Sequence, residues 1–200
     1  MYYLAINTKT TKNIPGDYGQ PLKFSATLGN FNDFEKQFTF ALYPYFESIH
    51  GDPKELSNLD NEIKSISGYL NNSDVVAPNN FVARFLMWYK MAFKNFGIDG
   101  SDIINRYDRT LMNKPNVSIV LVGYNIECKI ISTLSQYIPG WDNRILNQFS
   151  NNCLDIKHLF FNPSNKKMPT FEQCCQIAHV KQEEKQKSEV VSELLEFKFN

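Results

Sequence analysis

The polar pentapeptide Asn7-Thr8-Lys9-Thr10-Thr11 follows directly on the apolar run Tyr2-Tyr3-Leu4-Ala5-Ile6. It places one carboxamide, three hydroxyls and one ammonium group at the end of a strand, and no carboxylate. Hard divalent cations prefer anionic oxygen ligands, so this set cannot hold Mg²⁺ unaided. A second set is Cys153-x4-His158 followed by Cys175-x3-His179, with Cys174 as an alternative to Cys175. Thiolate and imidazole suit Zn²⁺, whose structural sites are commonly Cys2His2. The spacing matches no common finger and draws its ligands from two helices, which favours buried thiols and surface histidines over a zinc site. The sequence has no Gly-rich phosphate loop and no convincing Ser/His/Asp triad.

The elements that position these residues follow from periodicity. Residues 2–7, 22–28 and 37–43 read as strands, with turns at Gly19-Gln20-Pro21 and Gly29-Asn30, and predict an antiparallel meander. From Pro44 to Pro78 the chain is polar and irregular, with helical hints near Asp60–Ile66. Phe81, Val82, Phe85, Leu86, Tyr89, Ala92, Phe93 and Phe96 recur at helical spacing, so 79–96 is a helix opened by Pro78 and closed by Gly97. Its periodic face belongs to the core, and Trp88, Lys90 and Lys94 lie off the main stripe. A short helix is expected over Asp102–Thr110. Val117–Val122 is a continuous β-branched run, hence a buried central strand. Helices are expected at 125–137, 142–150, 156–161, 170–179 and 182–197, with a short strand at 153–156. This order predicts an α/β sheet with helices on both faces, in a single domain over residues 1–200.

Hydrophobic residues at 42% and charged residues at 21% are ordinary globular values, so global disorder is excluded. Lysine plus arginine and aspartate plus glutamate balance at 21 each, so any nucleic-acid binding must come from a local patch. No apolar run approaches the ~20 residues that span a bilayer. The N-terminus lacks a signal-peptide layout. A soluble intracellular protein without a cofactor is expected. Cys128, Cys153, Cys174 and Cys175 form no secreted-type disulfide framework.

The strand followed by N-T-K-T-T resembles the opening D-x-E-T-T of the DEDD (DnaQ-like) 3′–5′ exonucleases of the ribonuclease H-like superfamily. Asn7 then stands at the Asp and Lys9 at the Glu. Val122-Gly123-Tyr124-Asn125-Ile126-Glu127-Cys128-Lys129 resembles the family's strand–G-H-N-x-x-F-D segment, with Lys129 at the Asp. The terminal helix resembles H-x-x-x-x-D-A-x-x-T-A-x-L when Ser188, Ser192 and Leu194-Leu195 are aligned. That register puts Gln182 at the general-base His and Lys187 at the Asp. A competing register sets His179 and Glu184 at the same spacing, but it places Lys185 and Glu189 where small buried residues belong. Asp155 fits the family's structural D-T segment. The resemblance covers most of the chain.

In that family the carboxylates hold two metal ions, which activate a water and stabilise the leaving oxygen. The resemblance implies the ribonuclease H-like fold together with loss of the metals. Like unit charges ~4 Å apart repel by about 4 kcal/mol at an effective dielectric near 20, so a lysine-lined centre repels Mg²⁺. It therefore implies a catalytically inactive module that binds nucleic acid or a protein partner through the former substrate cleft. Lys9, Thr10, Asn125, Lys129 and Lys187 would take the anion. One alternative is that the lysines fill the old site and pair with neighbours such as Glu127. Two others are an active nuclease with a displaced metal site drawn from Glu127, Asp155, His179 or Glu184, and a structural subunit of a nucleic-acid-processing complex.

Overall fold

Strand β1 (Tyr2–Thr10) runs through the middle of a six-stranded mixed sheet. The computed structural model describes residues 1–11, 16–49, 52–67, 74–112, 117–149 and 151–200, without the side chains of 55, 62–67, 127 and 128. Pro15 and the side chains of Glu127 and Cys128 thus lie outside the described residues. β2 (Pro21–Asn30) pairs antiparallel with β1, and β3 (Asp33–Pro44) pairs antiparallel with β2, which is the expected meander. β4 (Val75–Val76) lies parallel to β3 at one edge. On the other side β5 (Ile119–Gly123) is parallel to β1, and β6 (Cys153–Asp155) is parallel to β5. The order across the sheet is β4-β3-β2-β1-β5-β6.

Helices cover both faces. In chain order they are α1 (Pro53–Ser67), α2 (Pro78–Asn95), α3 (Gly100–Ile103), α4 (Ser132–Tyr137), α5 (Trp141–Arg144), α6 (Ile156–Leu159), α7 (Phe171–Ala178) and α8 (Lys187–Phe199). Alternation along β1 explains the two layers. Leu4 and Ile6 face α2, where Phe24, Phe81, Phe85, Tyr89, Phe93 and Trp141 complete the core. Tyr3 and Ala5 face α7 and α8, joined by Cys174, Val190, Val191, Leu194 and Leu195. Over residues 3–6 both faces of β1 are therefore dry, and Tyr3, Leu4, Ala5 and Ile6 are fully buried.

α8 approaches the sheet closely because its inner positions are small. Ser188 and Ser192 are buried; Tyr3 Oη and Ser192 Oγ share a hydrogen bond of 2.6 Å, and Thr27 Oγ1 donates to Ser188 Oγ at 2.9 Å. The Tyr3 ring lies so close to Gly29 that a Cβ there would overlap it.

Several boundaries depart from the expected ones, each for a local reason. β1 continues to Thr10 instead of ending at residue 7, because β2 still pairs with it, with a bulge between Lys9 and Thr10. A full helix spans Pro53–Ser67, started by Asp52, which accepts from Lys54 N, and by Pro53 at its first position. No helix forms over 104–110: the Asn105 and Asp108 side chains accept from Tyr107 N and Thr110 N, and Ile104 bridges Leu111. Such local side-chain acceptors compete with helical bonding. The helix expected at 125–137 begins as a π-helical turn, Ile126–Ile131, before α4. The one expected at 142–150 is α5 followed by a 3-10 turn, Leu146–Gln148. α8 starts at Lys187, not at 182, because Glu184 takes a left-handed φ of 63° and Glu189 accepts from Gln186 N. Trp88 is not a surface residue apart from the core; it stacks on Phe40 at 5.1 Å.

Candidate anion-binding cleft

β5 stops at Gly123 while β1 continues to Thr10, and a cleft of about 600 Å³ opens at this end of β1. β1 contributes Asn7, Lys9 and Thr10, and β2 contributes Lys23 and Ser25. The turn after β5 adds Tyr124, Asn125 and Lys129. Phe171 and Glu172 come from the start of α7, and Lys185, Gln186 and Lys187 from the entry to α8.

Local chemistry fixes this geometry. A Cβ on Gly123 would sit 3.2 Å from the Ile6 carbonyl oxygen and 3.1 Å from Ile130, so glycine lets the turn close onto β1. Asn125 follows in the left-handed conformation, φ 52°. The Asp155 carboxylate holds that turn, accepting from Asn125 N at 3.2 Å, Ile126 N at 3.1 Å and Lys157 N at 3.2 Å. Lys157 Nζ pairs with Asp155 at 3.2 Å and donates to Asn125 Oδ1 at 2.9 Å. Asp155 and Asn125 are thus structural partners. Tyr124 Oη donates to Pro169 O at 2.8 Å, and its ring meets Phe171 edge-on at 5.4 Å. Burial pushes the Tyr124 hydroxyl up from its ordinary value, so it stays a donor.

Among the described residues the lining holds five lysines (Lys9, Lys23, Lys129, Lys185, Lys187) and one acid, Glu172. Lys185 is held by Glu193 at 2.6 and 2.8 Å. Lys187 lies 5.4 Å over the Phe171 ring, and Lys23 lies 5.5 Å over Tyr43. Lys9, Lys129 and Lys187 make no ion pair among the described residues. Lys9 stands directly opposite Lys23 in the β1–β2 register. Like charges directly opposite across strands are destabilising.

The cleft therefore brings Asn7, Lys9, Thr10, Asn125, Lys129 and Lys187 together. Gln182 is exposed and does not line it. Among the described residues the lining offers five ammonium groups and one carboxylate, Glu172, a donor set that does not suit a hard divalent cation. Among the described residues, no group of three or more His, Cys, Asp and Glu side chains is placed to hold a metal. The zinc candidates are separated by the sheet: Cys153 packs on the α2 side, whereas Cys175 belongs to the core under α8. His158 and His179 are exposed, the latter capping α7 in the left-handed conformation. Asp155 is engaged as described, and the Glu127 side chain lies outside the described residues.

Lys23, Lys185 and Phe171 are not singled out as site residues by sequence motifs, whereas Tyr124 stands in the Gly123-Tyr124-Asn125 segment. Lys23 and Ser25 alternate with buried Phe24 and Ala26, which was a readable signal, but their position opposite Lys9 and Asn7 depends on a hairpin register that no motif carries.

Sheet order, helix layers and the cleft at the end of β1 define a ribonuclease H-like α/β fold of the DEDD exonuclease type. E. coli exonuclease I in complex with a dT13 oligonucleotide superposes with a TM-score of 0.54 at 13% identity, over 98% of this chain and 40% of that one. The nuclease domain of 3′hExo, a DEDDh family member bound to rAMP, gives 0.58 at 12% identity, over 99% of this chain and 90% of that one. A full-length 3′-exonuclease gives 0.57 at 13% identity, over 97% and 79%. At these identities the shared property is the fold. The chain spans about two fifths of exonuclease I, 40% in the oligonucleotide complex. No protein-family model and no characterised protein sequence matches it. Among the described residues no helix is long and apolar enough to cross a membrane.

Proposed function

We propose that this exonuclease-fold domain binds nucleic acid without cleaving it, with Lys9, Lys129 and Lys187 contacting phosphates. The observation that carries this reading is the concentration, among the described residues, of five lysines against one glutamate in the cleft at the end of β1. Ammonium groups attract phosphate oxygens and repel the divalent ions on which the DEDD reaction depends. The aromatic stripe of α2 is buried against the sheet, which favours the cleft over that stripe as the docking surface. The Tyr124–Phe171 wall supplies an apolar surface on which a base can rest.

Fluorescence titration of a labelled single-stranded oligonucleotide at two salt concentrations tests this. Three or four phosphate contacts give a slope of log K against log salt of about −2 to −3, at roughly −0.7 per contact. Lys129→Asp is expected to weaken binding. Incubation with Mg²⁺ or Mn²⁺ should leave the oligonucleotide at full length. Absence of binding at low salt would refute the binding role, and shortening of the strand would refute the non-cleaving one.

A further inference from the structure

We infer that the cleft takes several phosphates in series, such as a nucleoside 5′-triphosphate group, in preference to the single diesters of a strand interior. This rests on the anion-binding reading above and adds a preference to it. Charge density is the first ground. Among the described residues Lys9, Lys129 and Lys187 make no ion pair, Glu193 holds Lys185, and Glu172 is the one acid of the lining, which leaves these groups with a formal excess of two positive charges. That excess is gathered in about 600 Å³, within the range of small-molecule pockets. A strand interior brings one negative charge per nucleotide and strings its phosphates along the chain. A triphosphate carries roughly −3.5 to −4, from one charge on each bridging phosphate and −1.5 to −2 on the terminal one.

Three further observations favour a compact polyanion. Lys9 and Lys23 stand opposite one another in the β1–β2 register and both line the cleft, so two ammonium groups face one space. Thr8 is 4% exposed, lines the same cleft, and its Oγ1 has no hydrogen-bond partner among the described residues. Lys187 is the first residue of the thirteen-residue helix α8, so the positive end of that helix's dipole adds to the lysines. The phosphates would sit among Lys9, Lys23, Lys129 and Lys187, with the adjoining base against Tyr124 and Phe171.

The ligand source is either a free nucleotide or the 5′ end of a strand, and one experiment separates them. The full chain is titrated with one labelled oligonucleotide carrying a 5′-triphosphate, a 5′-monophosphate or a 5′-hydroxyl. Competition is then measured with a free nucleoside triphosphate and the matching monophosphate. The triphosphate end is expected to bind about tenfold or more tighter than the hydroxyl end. Lys9→Ala and Lys129→Ala should each reduce that preference, and Lys94→Ala, on the opposite side of the sheet, should not. Competition by the free triphosphate at similar concentration assigns the site to the phosphate chain alone, and its failure assigns it to the strand end. Equal affinity for all three ends overturns the preference and leaves nucleic-acid binding standing. Binding of the free triphosphate with no strand bound supports the preference and overturns the strand reading. Binding of nothing overturns both.

Discussion

Replacing Lys9 by Glu is expected to stabilise the fold and weaken phosphate binding in the same variant. Lys9 lies directly opposite Lys23, so their Cβ atoms stand about 4.5–5.5 Å apart on one face of the sheet. A like-charge pair at such a position costs, and an opposite-charge pair gains, about 0.2–1 kcal/mol. Lys9 is exposed, and screening places both terms near the lower end, so the combined swing is about 0.5–1 kcal/mol. For a chain of 200 residues this raises Tm by about 1–4 °C. Binding moves the other way. Loss of one charge-assisted phosphate contact costs about 1.5–3 kcal/mol, roughly tenfold to a hundredfold in affinity. The salt slope should flatten by about 0.7. Thermal unfolding of the ligand-free protein, paired with the oligonucleotide titration, reads both effects. A lower Tm would mean that Lys9 makes a stabilising contact, and unchanged affinity would put Lys9 outside the site. Either result defeats the reasoning.

Alkaline unfolding should begin between about pH 10 and 12. Burial, partly offset by the Ser192 hydrogen bond, pushes the Tyr3 hydroxyl up to about 12, whereas an unfolded phenol titrates near 10. The folded form holds its proton more tightly, so this contribution is complete below the unfolded value and lost as pH rises through the folded one, on the order of 2–3 kcal/mol. Tyr3→Phe should flatten that loss in denaturant titrations across this pH range. Asp155→Ala removes the acceptor of three backbone N–H groups and the partner of Lys157. It should destabilise the protein by about 2–4 kcal/mol in chemical denaturation. Asp155→Asn, which keeps an acceptor oxygen, should cost less.

What was legible from the sequence was the pattern that burial imposes. The period-two meander, the apolar run before Gly123 and the α2 stripe all reappear as the sheet and its covering helix, because each is written into the identities of buried residues. Ser188 and Ser192 were readable for the same reason, since a helix that lies close to a sheet needs small side chains there. Polar segments were read less well. Lys9 and Thr10 extend β1 because β2 offers partners, a tertiary cause that intrinsic preference does not carry. Residues 104–110 contain apolar Ile104 and Tyr107, yet Asn105 and Asp108 bind neighbouring amides and prevent a helix. The start of α1 was readable in Asp52-Pro53 and was hidden by the many polar residues over 54–64. In the cleft, motif positions pointed to Lys9, Lys129 and Lys187, whereas Lys23 and Lys185 enter through strand register and the left-handed turn at Glu184.

The sheet also divides the thiols. Cys153 sits with the α2 layer, donating to Phe149 O, while Cys174 and Cys175 are buried beneath α8. Burial pushes the Cys174 thiol up to about 11, so in the closed structure it is a poor nucleophile. A thiol reagent can reach it only when the layer of α7 and α8 lifts, an opening that leaves the other face untouched. Cys174 lies one helical turn beyond Phe171 in α7, the helix that walls the cleft. Its rate of labelling is therefore a built-in gauge of how often that wall breathes, and the rate at Cys153 supplies an internal reference from the opposite side.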